Sequence, residues 1–473
     1  LIEDESSSDL SIESKQPSEI TADELLEKIR TSSYSIHVLI CICSMSWGIG
    51  ALAIMSSAFY DISNSTLTSL SDEFELYEGR SYLREFASSS FMVGNMVGGL
   101  ISSAIADRIG RRPVMIVCTA GISIMFFLLS FAPNIYLFIA GRLLHGMFYT
   151  GSGQSSWVLA FECTPSKLRA AAAFLYGTSW VVGYCLVVPI AMASATWRQF
   201  MLFSSLPIAA FFVAVLLFVP ESLHWLATNG KREQIEKKWI SKIKQPLLVV
   251  TTNSMREDDG EKRRSVLISY INSHKIILAF MAAIGLIWLS DAFIYFGLSL
   301  YSTTLAGNFY VNYMLMGLIE MPGYVLAHVA LKRCSRRFVM CATHMTAAAA
   351  FVVLIFLAES SGLALVCWLI GKLAITVAYM NIYVMGSEIF PTQIRNSVIG
   401  ICGVISRIGG VFAPYVKALS RVSPVLPLVA FGSFALFAAI IALFLPETKD
   451  KSLDESISSD NSQRDEENQQ QQE

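Results

Sequence analysis

The sequence predicts an all-α membrane protein, with twelve transmembrane helices in two pseudo-symmetric six-helix bundles. Apolar residues make up 54% of the chain and charged residues 15%, against about 45–50% and about 25% in soluble domains. The apolar residues cluster in runs near the ~20 residues that span a hydrocarbon core as a helix. They do not alternate as barrel strands would. Charged signatures also return at a long fixed offset. Glu162-x-x-Pro165-x-x-x-Arg169 recurs 226 residues later as Glu388-x-x-Pro391-x-x-x-Arg395, and Pro220-Glu221-Ser222 recurs at the same offset as Pro446-Glu447-Thr448. Arg108-Ile109-Gly110-Arg111-Arg112 has a looser echo, offset by 225, in Arg333-Cys334-Ser335-Arg336-Arg337. A period this long marks two homologous halves rather than a solenoid. In an apolar chain such halves imply a secondary transporter with its substrate site between them.

The first half, 36–219, contains spans at 36–58, 85–106, 113–132, 135–158, 168–190 and 199–219. The second, 275–445, contains spans at 275–297, 310–331, 338–358, 362–385, 396–418 and 424–445. Between them, 220–274 reads as a cytoplasmic linker. Ser222–Ala227 and Lys231–Lys242 suggest short amphipathic helices against the inner face, and 245–264 a flexible stretch. The tails, 1–35 and 446–473, are rich in Ser, Glu and Gln and read as disordered and cytoplasmic. Residues 1–33 lack the apolar core of a cleavable signal.

Charge placement orients the spans. With both ends inside, the inner loops hold Arg108, Arg111, Arg112, Lys167, Arg169, Lys332, Arg333, Arg336, Arg337 and Arg395, and the linker adds more. The outer loops hold Arg80, Arg84, Arg198, Lys417 and Arg421. The excess of inner Lys and Arg places both termini in the cytoplasm. The single N-glycosylation sequon, Asn64-Ser65-Thr66, then lies outside, where glycosylation requires it. All nine cysteines fall in spans or inner loops, so no disulfide framework is implied. A net charge of −2 gives no reason to expect a nucleic-acid partner.

Asp107-Arg108-Ile109-Gly110-Arg111-Arg112 joins spans 2 and 3, where a tight turn needs glycine. Glu162 and Arg169 flank the loop between spans 4 and 5, and Glu388 and Arg395 the loop between spans 10 and 11. Arginines there satisfy topology alone, but carboxylates contribute little to topology, and these recur. The reading favoured here is a gate: opposite charges at helix ends hold the cytoplasmic side closed, and breaking them opens it.

These loops and the two Pro-Glu-Ser/Thr ends resemble the major facilitator superfamily over nearly all of 36–449. Spans 7 and 8 narrow the likeness through Tyr295-Phe-Gly-Leu-Ser-Leu, Leu305-Ala-Gly-Asn308-Phe-Tyr-Val-Asn312 and Gly317-Leu-Ile-Glu320-Met-Pro322. With Ser387–Asn396 and Pro220–Leu226, they resemble the organic ion transporter family of cation, anion and carnitine carriers. The paired glutamines that sugar porters carry in span 7 are absent. Two departures stand out. The first outer loop has about 26 residues and no cysteine, where the family usually has a long, cysteine-bearing one. The second basic loop has Lys332 and Ser335 where the first has Asp107 and Gly110, so a weaker second gate is expected.

Charges inside spans point to substrate, because each costs roughly 2.5–3.5 kcal/mol at a helix centre. They are Arg142, Asp291, Glu320, Lys372 and Arg407. Arg142 and Lys372 each follow a glycine near the start of spans 4 and 10 and read as partners for carboxylates. Glu320 matches a family glutamate, with structure and coupling as equal readings. Asp291, one turn before Tyr295, faces either the cavity or a neighbouring helix. Arg407 is the most informative. The resemblance implies aspartate at this position in cation carriers and arginine in anion or carnitine carriers. A fixed cation attracts carboxylates and repels ammonium groups; the structural alternative is an arginine satisfied by a carbonyl of span 10 or 12. Among the aromatics Tyr149, Trp157, Trp180, Trp288, Tyr295 and Tyr383, Tyr295 matches a family cavity position, with Trp157 next.

The expected substrate-binding set is therefore Arg407, Tyr295, Glu320, Trp157, Asp291 and Lys372. The expected gating set is Asp107, Arg108, Arg111, Arg112, Glu162, Arg169, Glu388 and Arg395. The function expected is alternating-access transport of a small organic anion or zwitterion across the bilayer, with a coupling ion or exchanged organic ion as a further partner. A cation carrier using Glu320 or Asp291, and a sensor that has lost transport, remain the alternatives. An enzyme is disfavoured: no metal spacing, nucleophile–base motif or phosphate loop is present, and no cofactor is implied.

Overall fold

A computed structural model describes residues 34–60, 69–231, 275–357 and 362–449, with short pieces at 19–20, 26, 233–235, 239 and 249–250. Asn64, most of 245–264 and most of both tails lie outside them. The long helices are α1 (Tyr34–Met55), α2 (Tyr82–Ile109), α3 (Arg111–Leu129), α4 (Ile135–Glu162), α5 (Arg169–Ala193) and α6 (Trp197–Phe218). The second half follows with α7 (Lys275–Tyr301), α8 in two pieces (Phe309–Leu318 and Glu320–Arg333), α9 (Arg336–Phe356), α10 (Gly362–Ile389), α11 (Thr392–Phe412) and α12 (Val425–Leu443).

Among the described residues, eleven of these helices are long and apolar enough to cross a membrane. The twelfth, α4, is diluted by Thr150-Gly-Ser-Gly-Gln-Ser-Ser156. Its hydroxyls are bonded to three neighbours. Thr150 donates to Asn95 Oδ1 on α2 (2.6 Å), Ser152 meets Thr119 on α3 (2.8 Å), and Ser156 donates to the Cys43 carbonyl on α1 (2.7 Å). A polar helix is tolerated at this depth because its groups are satisfied inside the bundle.

The same packing recurs in each half. α1 lies on α5, α2 on α4, and α3 on α4 and α6; α7 lies on α11, α8 on α10, and α9 on α10 and α12. Two glycines 226 residues apart show how close the equivalent crossings are. A Cβ at Gly183 would stand 1.8 Å from the Gly48 carbonyl oxygen, and one at Gly409 would stand 2.1 Å from that of Leu289. Any side chain there would push α1 from α5 or α7 from α11. The halves meet along α2–α11 and α5–α8.

α8 breaks at Ile319 because Pro322 has no N–H to donate to Leu318 and its ring crowds the preceding turn. Glu320 therefore opens the second piece. The short loop after α1 is pinned by Glu73, which receives bonds from Arg198 (2.5 Å) and Trp197 Nε1 (2.7 Å) of α6. In the linker, Leu223–Thr228 is helical and capped by Ser222, and Trp225 Nε1 donates to the Asp107 carbonyl at 3.0 Å. Ile235 and Trp239 are buried. Glu19–Ile20 of the amino-terminal tail pairs in parallel with Val249–Val250.

Candidate functional site

At one end of the bundle, here termed the basic face, each half carries the same charge network. Gly110 has φ +108°, and a Cβ there would stand 2.4 Å from Glu221 Oε2. The turn lets the Arg111 and Arg112 amides donate to Glu221 Oε1 at 3.0 and 3.1 Å. The Arg111 guanidinium lies 3.0 Å from Asp107 and 3.3 Å from Glu162, which also accepts from Ser222 Oγ at 2.5 Å. Arg112 is spent on the Val219 and Leu216 carbonyls, and Arg108 is exposed. In the second half the Arg336 and Arg337 amides donate to Glu447 at 2.8 and 3.2 Å. Arg336 pairs with Glu388 at 3.1 Å, and Thr448 donates to Glu388 at 2.6 Å.

Of the expected loop charges, Asp107, Arg111 and Glu162 are brought together, and Glu388 meets Arg336, with two differences from the sequence reading. Glu162 and Glu388 pair with Arg111 and Arg336, not with Arg169 and Arg395, which donate to the Thr164 and Phe390 carbonyls at 3.3 and 3.2 Å. Each network also closes within one half, tying the start of α3 or α9 to the end of α4 or α10 and to the segment after α6 or α12. Ser335 does the work of Gly110 without positive φ, capping α9 by accepting from the Phe338 amide. The Asp107–Arg111 pair has no counterpart, because Lys332 stands at its position.

At mid-depth the intramembrane charges separate into closed clusters and one open one. Glu320 Oε1 lies 2.9 Å from Lys372 Nζ, both fully buried. The same oxygen accepts from Tyr295 at 2.6 Å, and Glu320 Oε2 accepts from Tyr324 at 3.0 Å. Lys372 also donates to Ser299 at 2.9 Å and sits 3.3 Å from the centre of the Tyr295 ring. Trp180 Nε1, from the other half, donates to Tyr295 at 2.7 Å. Lys372 is thus a carboxylate partner, as its position suggested. Asp291 faces a neighbouring helix: it is fully buried, with Oδ1 2.9 Å from His344 Nε2 on α9. Its expected contact with substrate is therefore withdrawn. Arg142 has no carboxylate partner among the described residues; it meets His145 Nδ1 at 3.2 Å and the Phe91 ring at 4.4 Å.

Arg407 differs from the rest. It is half-buried where the two halves meet. Its Nε donates to Asn95 Oδ1 of α2 at 3.1 Å, and its Nη1 lies 3.4 Å from the Gly403 carbonyl. With the Gln154 amide turned so that its nitrogen donates to the Gly99 carbonyl, its oxygen accepts from Arg407 at 3.3 Å. Among the described residues no carboxylate pairs with it. In the first half Trp157 is half-buried and stacked on Trp47 at 5.1 Å, with Tyr176 edge-on at 4.9 Å. Asn95, Gln154, His344, Tyr324 and Trp47 were not singled out in the sequence. Of these only Tyr324, one turn after Glu320, carried a local signal.

The halves are joined from this depth toward the face opposite the basic one. Ser89 donates to the Val411 carbonyl (2.6 Å) and Tyr313 to that of Met55 (3.1 Å). Arg421 pairs with the buried Glu85, and Phe59 lies edge-on to Tyr313 at 4.8 Å.

The family model for sugar and other transporters matches residues 36–458. A Caenorhabditis elegans candidate transporter is 35% identical over 94% of this chain and 92% of its own. A Drosophila melanogaster organic cation transporter is 31% identical over 85% and 75%, and a rabbit organic anion transporter 27% over 83% and 74%. The chain belongs to the organic ion transporter family of the major facilitator superfamily. Among solved structures, the inward-open E. coli xylose transporter matches with TM-score 0.66 and 18% identity, over 89% of this chain and 98% of that one. The twelve-helix major facilitator fold is therefore shown, and this family member is a multi-pass membrane transporter rather than an enzyme.

Proposed function

We propose that this transporter carries small organic anions, or zwitterions bearing a carboxylate, by alternating access at a site beside Arg407. One observation carries the reading: among the described residues Arg407, half-buried where the halves meet, has no carboxylate partner, whereas Arg142, also without one, is sealed inside the first half. Glu320, which could have served a cation, is neutralised by Lys372, and Asp291 is held by His344. A guanidinium offered only amide and carbonyl oxygens keeps most of its attraction for a carboxylate, and in a low-dielectric cleft water screens that attraction poorly. Asn95, Gln154 and the Trp47–Trp157 wall supply polar and aromatic contacts for the rest of the ligand.

With the basic face in the cytoplasm and the halves joined at the opposite face, this conformer is inward-facing. The substrate then leaves past Trp157 toward the basic loops. Each basic-face network braces one half as a rigid body, and the gate works by bringing the two braced ends together. The charge asymmetry of the loops supports a plasma-membrane orientation with both termini inside.

Competition between hippurate, carnitine and tetraethylammonium for uptake into liposomes tests the reading. The wild type should prefer hippurate or carnitine, and Arg407→Asp should lose hippurate uptake by tenfold or more, about 1.4 kcal/mol of binding. Arg407→Lys should weaken affinity yet keep the ranking, since the charge survives and the forked geometry does not. A wild type that prefers the amine, with the ranking unchanged in Arg407→Asp, makes Arg407 structural.

A further inference from the structure

We propose that Asp291 and His344 form a one-proton binding site that links the transport cycle to protons. Only that link rests on the transport reading; the site itself rests on the contact between α7 and α9.

The hydrogen-bond geometry requires the proton. His344 Nδ1 lies 2.9 Å from the Met340 carbonyl, which can only accept, so Nδ1 carries hydrogen. His344 Nε2 lies 2.9 Å from Asp291 Oδ1. Two lone pairs would repel at that distance, so one proton lies between them. Whether it is written as imidazolium with carboxylate or imidazole with carboxylic acid, the pair holds one proton and is neutral. Losing it to water leaves a bare negative charge with neither side chain exposed to solvent.

Among the described residues no other group here takes up that charge. Asp291 Oδ2 is buried without a hydrogen-bond partner. α12 has no titratable side chain. Arg407 of α11 reaches Asn95 of α2 and, among the described residues, makes no bond to Asp291, and Cys402 of α11 bonds the Met281 carbonyl. On α8, Glu320 is held by Lys372 of α10. Cys341 of α9 bonds the Ala439 carbonyl. α10 also brings Tyr379 and Tyr383, whose ordinary range lies far above neutral pH. Deprotonation is therefore favoured where the site opens and water reaches Asp291. One turn along α7, Tyr295 bonds Glu320 and receives Trp180 of the other half. Proton occupancy at Asp291 and the contact between the halves thus share one helix. The Glu320–Lys372 pair needs no extra proton to be neutral and cannot play this part.

Two measurements on the full chain test the proposal. In histidine-15N-labelled protein, the resonance lost in His344→Gln should show an Nε2 that shares a proton, and Asp291→Asn should convert it to a bare Nε2 acceptor. A bare Nε2 in the wild type, without a protonated Asp291 carboxyl by infrared, overturns the site. In liposomes loaded with a pH dye, hippurate entry should move protons in the wild type, and that signal should be lost in Asp291→Asn or His344→Gln. Hippurate entry without proton movement in the wild type overturns the link. If the shared proton is present and the wild type moves no hippurate, the proton site stands and the anion reading fails. If Asp291→Asn does not fold, the wild-type spectrum and His344→Gln decide.

Discussion

Glu320 and Lys372 show how a buried charge can be both costly and indispensable. Each is sealed from solvent and neutralised by the other, with Tyr295, Tyr324 and Ser299 completing their hydrogen bonds. Removing one partner leaves the other charged in the helix interior, which costs about 3–5 kcal/mol, whereas replacing both by neutral groups is often tolerated. Glu320→Gln and Lys372→Met should each lower the thermal stability of the purified protein sharply, and the double variant should recover most of the loss. If the double variant is no better than the singles, the two charges are not coupled. Arg407 presents the opposite case, since the partners it meets among the described residues are neutral and it is only half-buried. Sequence alone ranked all of these charges as candidates because it shows that a charge sits in a span, not what it meets. Glu320 and Asp291 do not neutralise Arg407, because Lys372 of α10 and His344 of α9 hold them.

At the scale of elements, the basic-face networks bind helix ends into rigid halves. Arg111 bridges α3 to Glu162 at the end of α4, and Arg336 bridges α9 to Glu388 at the end of α10. Glu162→Gln and Glu388→Gln should cut uptake more than surface expression, and Arg111→Glu should reproduce the first. Full uptake in all three reduces the networks to topology. Glu447 adds a pH dependence. Burial raises its carboxyl, but the Ser335 hydroxyl and the Lys449, Arg336 and Arg337 amides outweigh this and hold it below the usual range. A carboxyl lowered on folding contributes stability above its unfolded pKa of about 4.3 and loses it as pH falls through the folded value. The second-half network should therefore loosen only below about pH 4, read by amide exchange at the start of α9, and Glu447→Gln should remove that acid limb. The repeat made these elements legible: an offset of 226 maps Glu221 onto Glu447 and Ser222 onto Thr448. The pairing within them was not, because Arg169 and Arg395 are nearer in sequence to the glutamates than Arg111 and Arg336 are.

Across the whole molecule, the bonds named between the halves lie between mid-depth and the face opposite the basic loops. With the basic face inside, a cysteine introduced at 64 should react with a membrane-impermeant label on intact cells, and one at 250 should not. Labelling at 250 would reverse the orientation and turn the inward-facing conformer into an outward-facing one. The chain by itself determined the twelve spans, the two halves and the family. The spans and halves follow from hydrophobic length and from a repeat, properties that are local or periodic along the sequence, and the family from the likeness of the motifs in spans 7 and 8. Only the tertiary structure decided which intramembrane charge stands half-buried at the junction of the halves with no carboxylate beside it among the described residues. A span brings its charge to the right depth at a fixed cost, but whether that cost is offset depends on the helix packed beside it. Here α10 brings Lys372 to Glu320 and α9 brings His344 to Asp291, while α2 offers Arg407 only the amide of Asn95.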